Sequence, residues 1–532
     1  MTAQLDRTEI NTEEKSAAES APASRQSAAA YLLSGTSALG AGVVIERGLG
    51  FLANLLAARM GGAGTFGAYS LAIATANNIG TYAAGGIGAT ATRFSGKYPL
   101  GTRAYPAFVR VLLIVSAVSA AIAAAILWIG SAPLAHLLQK ESLTPLLHWA
   151  AFSAAGMILL ECCRGFLVGQ RRLLGILVLS FSVGLGMISL LPAMSHLGPI
   201  PMVCSQGLLT TAAVLLCLLL YRPLGLASPL RTSVEAPIGP MLREVWSFTL
   251  IQLAGLVGMN AAGWWLTSLV ARSDTSMIQM GFYAIANQLR NMVALAPGLL
   301  SQSSLAVMAD CEGNSEKAPD RVMAVCSFVA VLVSLSLAGI GIVLAPWALT
   351  FLYGKAYSAA SAATVLSLAT AVVHMGNVPA AGRLTIVSIK QSGYINTAWA
   401  VLVAVSATFF LFHPGNAGIG AAIILAAHVL SASLVLLALR QKSIAPPGVS
   451  FTFFTGVGTS IAMAALAIAR NEMPTLALPL NLALLLAFGG GLALICSVGR
   501  RHHWFPSRAV LIAQLGSKLP FLNKLNPEGA HA

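Results

Sequence analysis

Runs of about twenty apolar residues, each closed by a charge, a proline or a glycine cluster, recur along nearly the whole chain. A helix rises 1.5 Å per residue, so each run reads as a crossing of the ~30 Å hydrocarbon core of a bilayer. Fourteen spans are predicted, at 36–58, 67–92, 107–130, 146–169, 173–195, 202–221, 244–270, 282–308, 322–345, 361–385, 394–413, 419–439, 451–469 and 478–499. Strands of an outer-membrane barrel would alternate in ten-residue units instead, and that pattern is not the one present. The expected fold is all-α and polytopic.

The spans fall into two related sets. Ala58-Arg59 followed by Gly67-Ala68-Tyr69 returns as Ala271-Arg272 followed by Gly281-Phe282-Tyr283. Arg110 upstream of Ala132-Pro133 returns as Arg321 upstream of Ala345-Pro346, and Arg164 with Arg171 returns as Arg383 with Lys390. Each copy holds six spans, so both enter the membrane from the same side, a parallel repeat of the kind that places a site between halves. The expected organisation is a disordered N-tail at 1–35, a six-helix lobe at 36–221 and a linker at 222–243. A second lobe at 244–440, an added helix pair at 451–499 and a basic tail at 500–532 complete it.

Composition agrees: 57% of residues are hydrophobic and only 9% charged, outside the range of soluble globular chains. The net charge of +14 raises nucleic acid as a partner, but the placement of the charges argues against it. The N-tail, the even-numbered loops and the C-tail carry 21 basic residues against five in the odd-numbered loops, which predicts both termini in the cytoplasm. Residues 1–30 are polar and lack the apolar core of a signal peptide. The seven cysteines show no metal-ligand spacing and read as packing residues. No P-loop, histidine-rich metal cluster or nucleophile elbow appears, so no cofactor is expected.

The chemistry sits where the pattern is violated. Glu46 and Arg47 interrupt the first span, and a charge at bilayer depth costs about 3 kcal/mol on insertion scales. Neighbours in sequence point about 100° apart on a helix, so each needs a partner elsewhere. Arg47 is read either as an anion contact or as the partner of Glu161. Arg290 follows Asn287-Gln288 and precedes Asn291 and Pro297, a polar stretch read as cavity lining or as interhelical bonding. Arg164 and Arg383 occupy matching places near span ends, where they snorkel, admit substrate or, for Arg164, pair with Glu161 at i−3. Asn54 and Asn260, with Asn77, Asn78 and Gln252, suit sugar hydroxyls or helix–helix bonds. His374 and His428 suit proton relay or a satisfied core. Five intramembrane arginines against two clear carboxylates leave the interior cationic, and guanidinium suits phosphate.

The opening helix with Glu46-Arg47, the stretch L-A-A-R-M-G-G-A-G-T-F-G-A-Y-S, the later G-F-Y-A-I-A-N-Q-L-R and L-Y-G-K-A-Y at 352–357 resemble bacterial polysaccharide transporters. These are lipid-linked oligosaccharide flippases of the multidrug/oligosaccharidyl-lipid/polysaccharide exporter superfamily, and the resemblance covers residues 34–440. It implies two six-helix lobes around a cationic cavity, and alternating access that carries an undecaprenyl-diphosphate-linked glycan to the periplasmic leaflet of the inner membrane. It implies further that Arg47 meets the diphosphate and that the added helix pair forms a groove for the lipid tail. A polysaccharide polymerase and a chain-length regulator are the protein partners of such a pathway. Proton, sodium ion or membrane potential stay open as the driving force. The rivals are a multidrug cation antiporter, for which the carboxylates are few, and a membrane glycosyltransferase or polymerase. For the latter the outward loops, about fifteen residues at most, are short.

Overall fold

A computed structural model describes residues 5–84, 86–98, 102, 104–220, 238–311, 318–411, 416–444, 448–502 and 504, with side chains in α-helical stretches described from residue 40 onward. Most of the expected linker, all but the first residues of the basic tail, and the side chain of Gln252 lie outside the described residues.

The described chain is helical almost throughout. In order the helices are α1 (Leu5–Ala84), α2 (Ile87–Lys97), α3 (Tyr105–Leu137), α4 (Thr144–Gly169), α5 (Leu173–Ser195), α6 (Pro199–Leu220) and α7 (Ile238–Arg272). There follow α8 (Ile278–Cys311), α9 (Ala318–Tyr353), α10 (Ser361–Val387), α11 (Ile389–Leu411), α12 (Ala417–Gln441), α13 (Val449–Glu472) and α14 (Ala477–Arg501). Helices α3 to α14 answer one for one to the last twelve expected spans.

The first two spans are built differently from the expectation. Helix α1 is broken inside by Gly62, at φ 78° and ψ 168°, a conformation that glycine adopts without a Cβ penalty. Its apolar part, Gly40–Ala83, is 44 residues long, about 66 Å and thus two crossings. The second crossing ends at Ala84, short of the predicted 92, because Gly86 turns left-handed at φ 83° and starts the separate helix α2. The segment expected to be a disordered tail is helical from Leu5. Its alanines, glutamates and glutamines are strong helix formers even though it lacks an apolar face. Among the described residues eleven helices are long and apolar enough to cross a membrane.

The chain divides into two compact units, Met1–Val257 and Gly258–Ala532. The division falls inside α7 rather than in the expected linker, and hydrogen bonds explain why. Thr249 Oγ1 lies 3.0 Å from Thr90 Oγ1, Lys97 Nζ lies 2.5 Å from Glu244 Oε1, and Tyr82 donates to the Val257 carbonyl. These tie the first half of α7 to α1 and α2.

Each unit has one central helix. In the first unit α4 packs against α3, α6, α2 and α1, and in the second α10 packs against α9, α12 and α8. The pairs α3·α4, α4·α6 and α5·α6 thus have their counterparts in α9·α10, α10·α12 and α11·α12, the repeat expected from the sequence. Helix α13 lies on α9 and α10, and its Phe453, Val457 and Met463 join the second unit's core. Arg470 closes this attachment. Only 5% exposed, it donates to the Val343 carbonyl and to Asn481 Oδ1, and its guanidinium lies 5.2 Å from the Trp347 ring.

Candidate functional site

In the first unit the site is set by how closely α2 and α4 approach. A Cβ on Gly165 would fall 2.1 Å from the Gly88 carbonyl oxygen, so the two backbones touch, and Thr92 Oγ1 donates to the Gly165 carbonyl at 3.1 Å. Small residues allow such contact in a medium where apolar burial adds little between helices. It brings the last turns of α4, with Glu161 and Arg164, beside α2 and α1. Arg164 there bonds two carboxylates: Glu161, 2.6 Å away on its own helix, and Glu46 of α1. The partner of Glu161 is therefore Arg164 and not Arg47, because residue 46, not 47, faces α4.

These groups line a cavity of about 430 Å³ in the first unit, shared with Asn77 and Thr81 of α1, Met187 of α5 and Gln206 and Thr210 of α6. A space of this size suits a small polar ligand or a few sugar atoms, not an entire lipid-linked oligosaccharide. Its two carboxylates and one guanidinium leave one negative charge.

Arg47 is exposed, and among the described residues it has no hydrogen bond or ion pair. Asn54 lies two turns further along the same flank of α1, with Nδ2 bonded to the Gly50 carbonyl of its own helix at 2.9 Å.

In the second unit Arg290 is half-buried on α8, again without a hydrogen bond or ion pair among the described residues. It acts electrostatically on Tyr283, His374 and His428. Asn287 and Gln288 are half-buried beside it, and Asn287 Oδ1 is enclosed without a partner. Asn260 of α7 is half-buried too. Arg383 is placed otherwise than a substrate contact requires: it is 5% exposed and its Nε donates to Asp320 Oδ1 at 2.9 Å. The matching arginines Arg164 and Arg383 are thus both held by carboxylates, and the cationic surplus rests on Arg47 and Arg290.

The contact of His374 with His428, their rings tilted by 41°, the Asp320–Arg383 pair and the Glu46–Arg164 pair were not legible in the sequence. The one signal was Glu46 itself, whose wheel position on α1 is shared by the buried Gly42, Gly50 and Ala53.

Residues 32–305 match the model of the polysaccharide biosynthesis protein family, over half of the chain, and the chain belongs to that family. Its fold is similar to that of lipid II flippase MurJ in an inward closed conformation, at 13% identity and TM-score 0.61, covering 87% of this chain and 99% of that one. It is similar as well to an inward-facing multidrug resistance MATE family transporter of the MOP superfamily, at 13% identity and TM-score 0.59, covering 74% and 94%. At this identity the likeness is one of fold. No curated protein sequence matches the chain. Family, fold and helices together define a multi-pass membrane protein of polysaccharide biosynthesis.

Proposed function

We propose that this protein is a flippase that carries undecaprenyl-diphosphate-linked oligosaccharide repeat units from the cytoplasmic to the periplasmic leaflet of the inner membrane, by alternating access, for exopolysaccharide or O-antigen synthesis. The observation that carries the reading is Arg47, an exposed guanidinium without a partner among the described residues, on a helix of membrane-crossing length. A charge so placed costs about 3 kcal/mol unless something answers it, and a diphosphate matches the planar fork of donors. Arg290, without a carboxylate among the described residues, is a further candidate anion contact, in the second unit. Asn54, Asn260, Asn287 and Gln288 suit the glycan's hydroxyls. The chain is then a carrier and not an enzyme.

The test is Arg47→Ala in cells lacking the native copy, with membrane expression matched by blot. Surface polysaccharide is expected to disappear while lipid-linked repeat units accumulate, and Arg47→Lys to restore part of the export, since an ammonium lacks the bidentate geometry. Normal export by Arg47→Ala would overturn the reading.

A further inference from the structure

The second unit contains a titratable cluster for which the proposed transport has not yet needed a role. His374 of α10 and His428 of α12 have ring centroids 4.7 Å apart, and Trp399 of α11 stands edge-on to His428 at 5.3 Å. His428 Nδ1 lies 2.9 Å from the Ile424 carbonyl oxygen and 3.4 Å from Trp399 Nε1. One nitrogen cannot both donate to a carbonyl and accept from an indole, and the shorter contact decides. Nδ1 therefore carries the hydrogen, and Nε2 is left as a base with an open lone pair.

His374 is exposed although its neighbours Val373 and Met375 are buried, so its ring reaches open space from the central helix of the unit. A satisfied core histidine does not look like this. Among the described residues Arg290 of α8 acts on both rings and His374 acts on His428, while Asp320 of α9, held by Arg383, and Glu472 at the end of α13 act on neither. Asn377, one turn from His374, and Asn287, one turn from Arg290, each present an enclosed carbonyl oxygen without a donor. The cluster thus offers one fixed cation, two imidazoles and two unfilled acceptors, with no carboxylate acting on them among the described residues. Such a set suits an anion at the guanidinium and a proton at an imidazole, with the two carbonyl oxygens left to accept from a hydroxyl or a protonated donor.

We propose that the His374–His428 pair binds a proton in linkage with a phosphate-class anion on Arg290. The two rings lie 4.7 Å apart on helices that both pack against α8, so a second proton would meet the charge of the first, and the pair takes one proton. An anion on Arg290 offsets the guanidinium and favours that proton, and by reciprocity the proton tightens the anion by the same factor. The proton is drawn from solvent and returned to it when the anion leaves, with no bond made or broken in the ligand. The inference rests on the reading of Arg290 as an anion contact.

The experiment uses the full-length protein in detergent with inorganic pyrophosphate as the probe, titrated at about pH 5.5 and about pH 7.5. Pyrophosphate's own ionisation is common to every variant and drops out of the comparison. His374→Gln is expected to reduce the ratio of affinities between the two pH values by roughly tenfold, with His428→Gln, checked for monodispersity, doing the same. In an Arg47→Gln background, which removes the other proposed anion contact, Arg290→Gln is expected to abolish binding at both pH values. Binding that depends on Arg290 but keeps the same pH ratio in His374→Gln would overturn the proton linkage and leave the anion contact standing. Absence of binding, or binding indifferent to Arg290→Gln, would overturn both.

Discussion

Glu46 of α1 and Arg164 of α4 are bonded to each other across 118 residues of sequence, and the same guanidinium holds Glu161 one turn earlier on α4. Their side chains are about a quarter exposed, at 22% and 24%, facing the cavity of the first unit. Screening is partial there, and the pair ties the first crossing to the unit's central helix. Arg164→Ala leaves two carboxylates facing each other, so it is expected to destabilise more than Glu46→Ala does. In a double-mutant cycle the coupling between Glu46→Ala and Arg164→Ala is expected at about 1–2 kcal/mol by unfolding in detergent. A coupling indistinguishable from zero would show that the two groups only happen to lie side by side.

The approach of α2 to α4 depends on an absent side chain. With a Cβ on Gly165 only 2.1 Å from backbone of Gly88, no rotamer relieves the overlap and the helices must part. Gly165→Val is expected to lower the melting temperature and to widen the cavity that Arg164 lines, seen as faster labelling of a cysteine introduced at Gln206. Gly96→Val, on the same helix α2 with nothing within 4 Å of its Cβ, is the control expected to leave both unchanged.

How much of this was visible beforehand differs by level. The crossings α3 to α14 were legible because a bilayer demands about twenty apolar residues from each, and charge or glycine closes every run. Arg47 and Arg290, on which the proposed function rests, stand out in the sequence because they break that rule. Pairing was not. A helical wheel gives the face on which Glu46 lies but not which helix covers it, and here the covering helix is α4. The expected span opens at 322, after Asp320. Helix α9 begins earlier, at Ala318, and thereby puts Asp320 in its first turn. No period relates His374 to His428; only the packing of α10 on α12 does.

The Asp320–Arg383 pair is the more deeply enclosed of the two carboxylate-held arginines. Asp320 is favoured in the first turn of α9 by the helix dipole, and Arg383 is 5% exposed. Removing one member of such a pair strands the other, at a cost of about 3 kcal/mol. Asp320→Ala is expected to lose that much in chemical denaturation, and the double variant Asp320→Ala/Arg383→Met to recover at least about 1 kcal/mol of it. A double variant as unstable as the sum of the singles would show that the ion pair does not couple them.

Between α7 and α8 a single carboxylate organises the turn. Asp274 Oδ1 accepts from the Ser276 backbone N–H at 2.9 Å and from its hydroxyl at 2.6 Å, while Oδ2 accepts from the Gln279 N–H at 2.9 Å. Burial pushes the carboxyl up, but these hydrogen bonds to its charged form outweigh burial and hold it below its ordinary value. A group whose folded value is depressed contributes stability above its unfolded value, near pH 4, and that contribution is lost as the pH falls through the folded value. The cap is therefore intact at neutral pH and fails in acid. The Gln279 amide is expected to lose hydrogen-exchange protection as the pH is lowered from about 4 towards about 2, relative to intrinsic rates, whereas Asp274→Asn starts lower and shows no acid step. Protection that is flat across this range in the wild type would mean that Asp274 does not hold the start of α8.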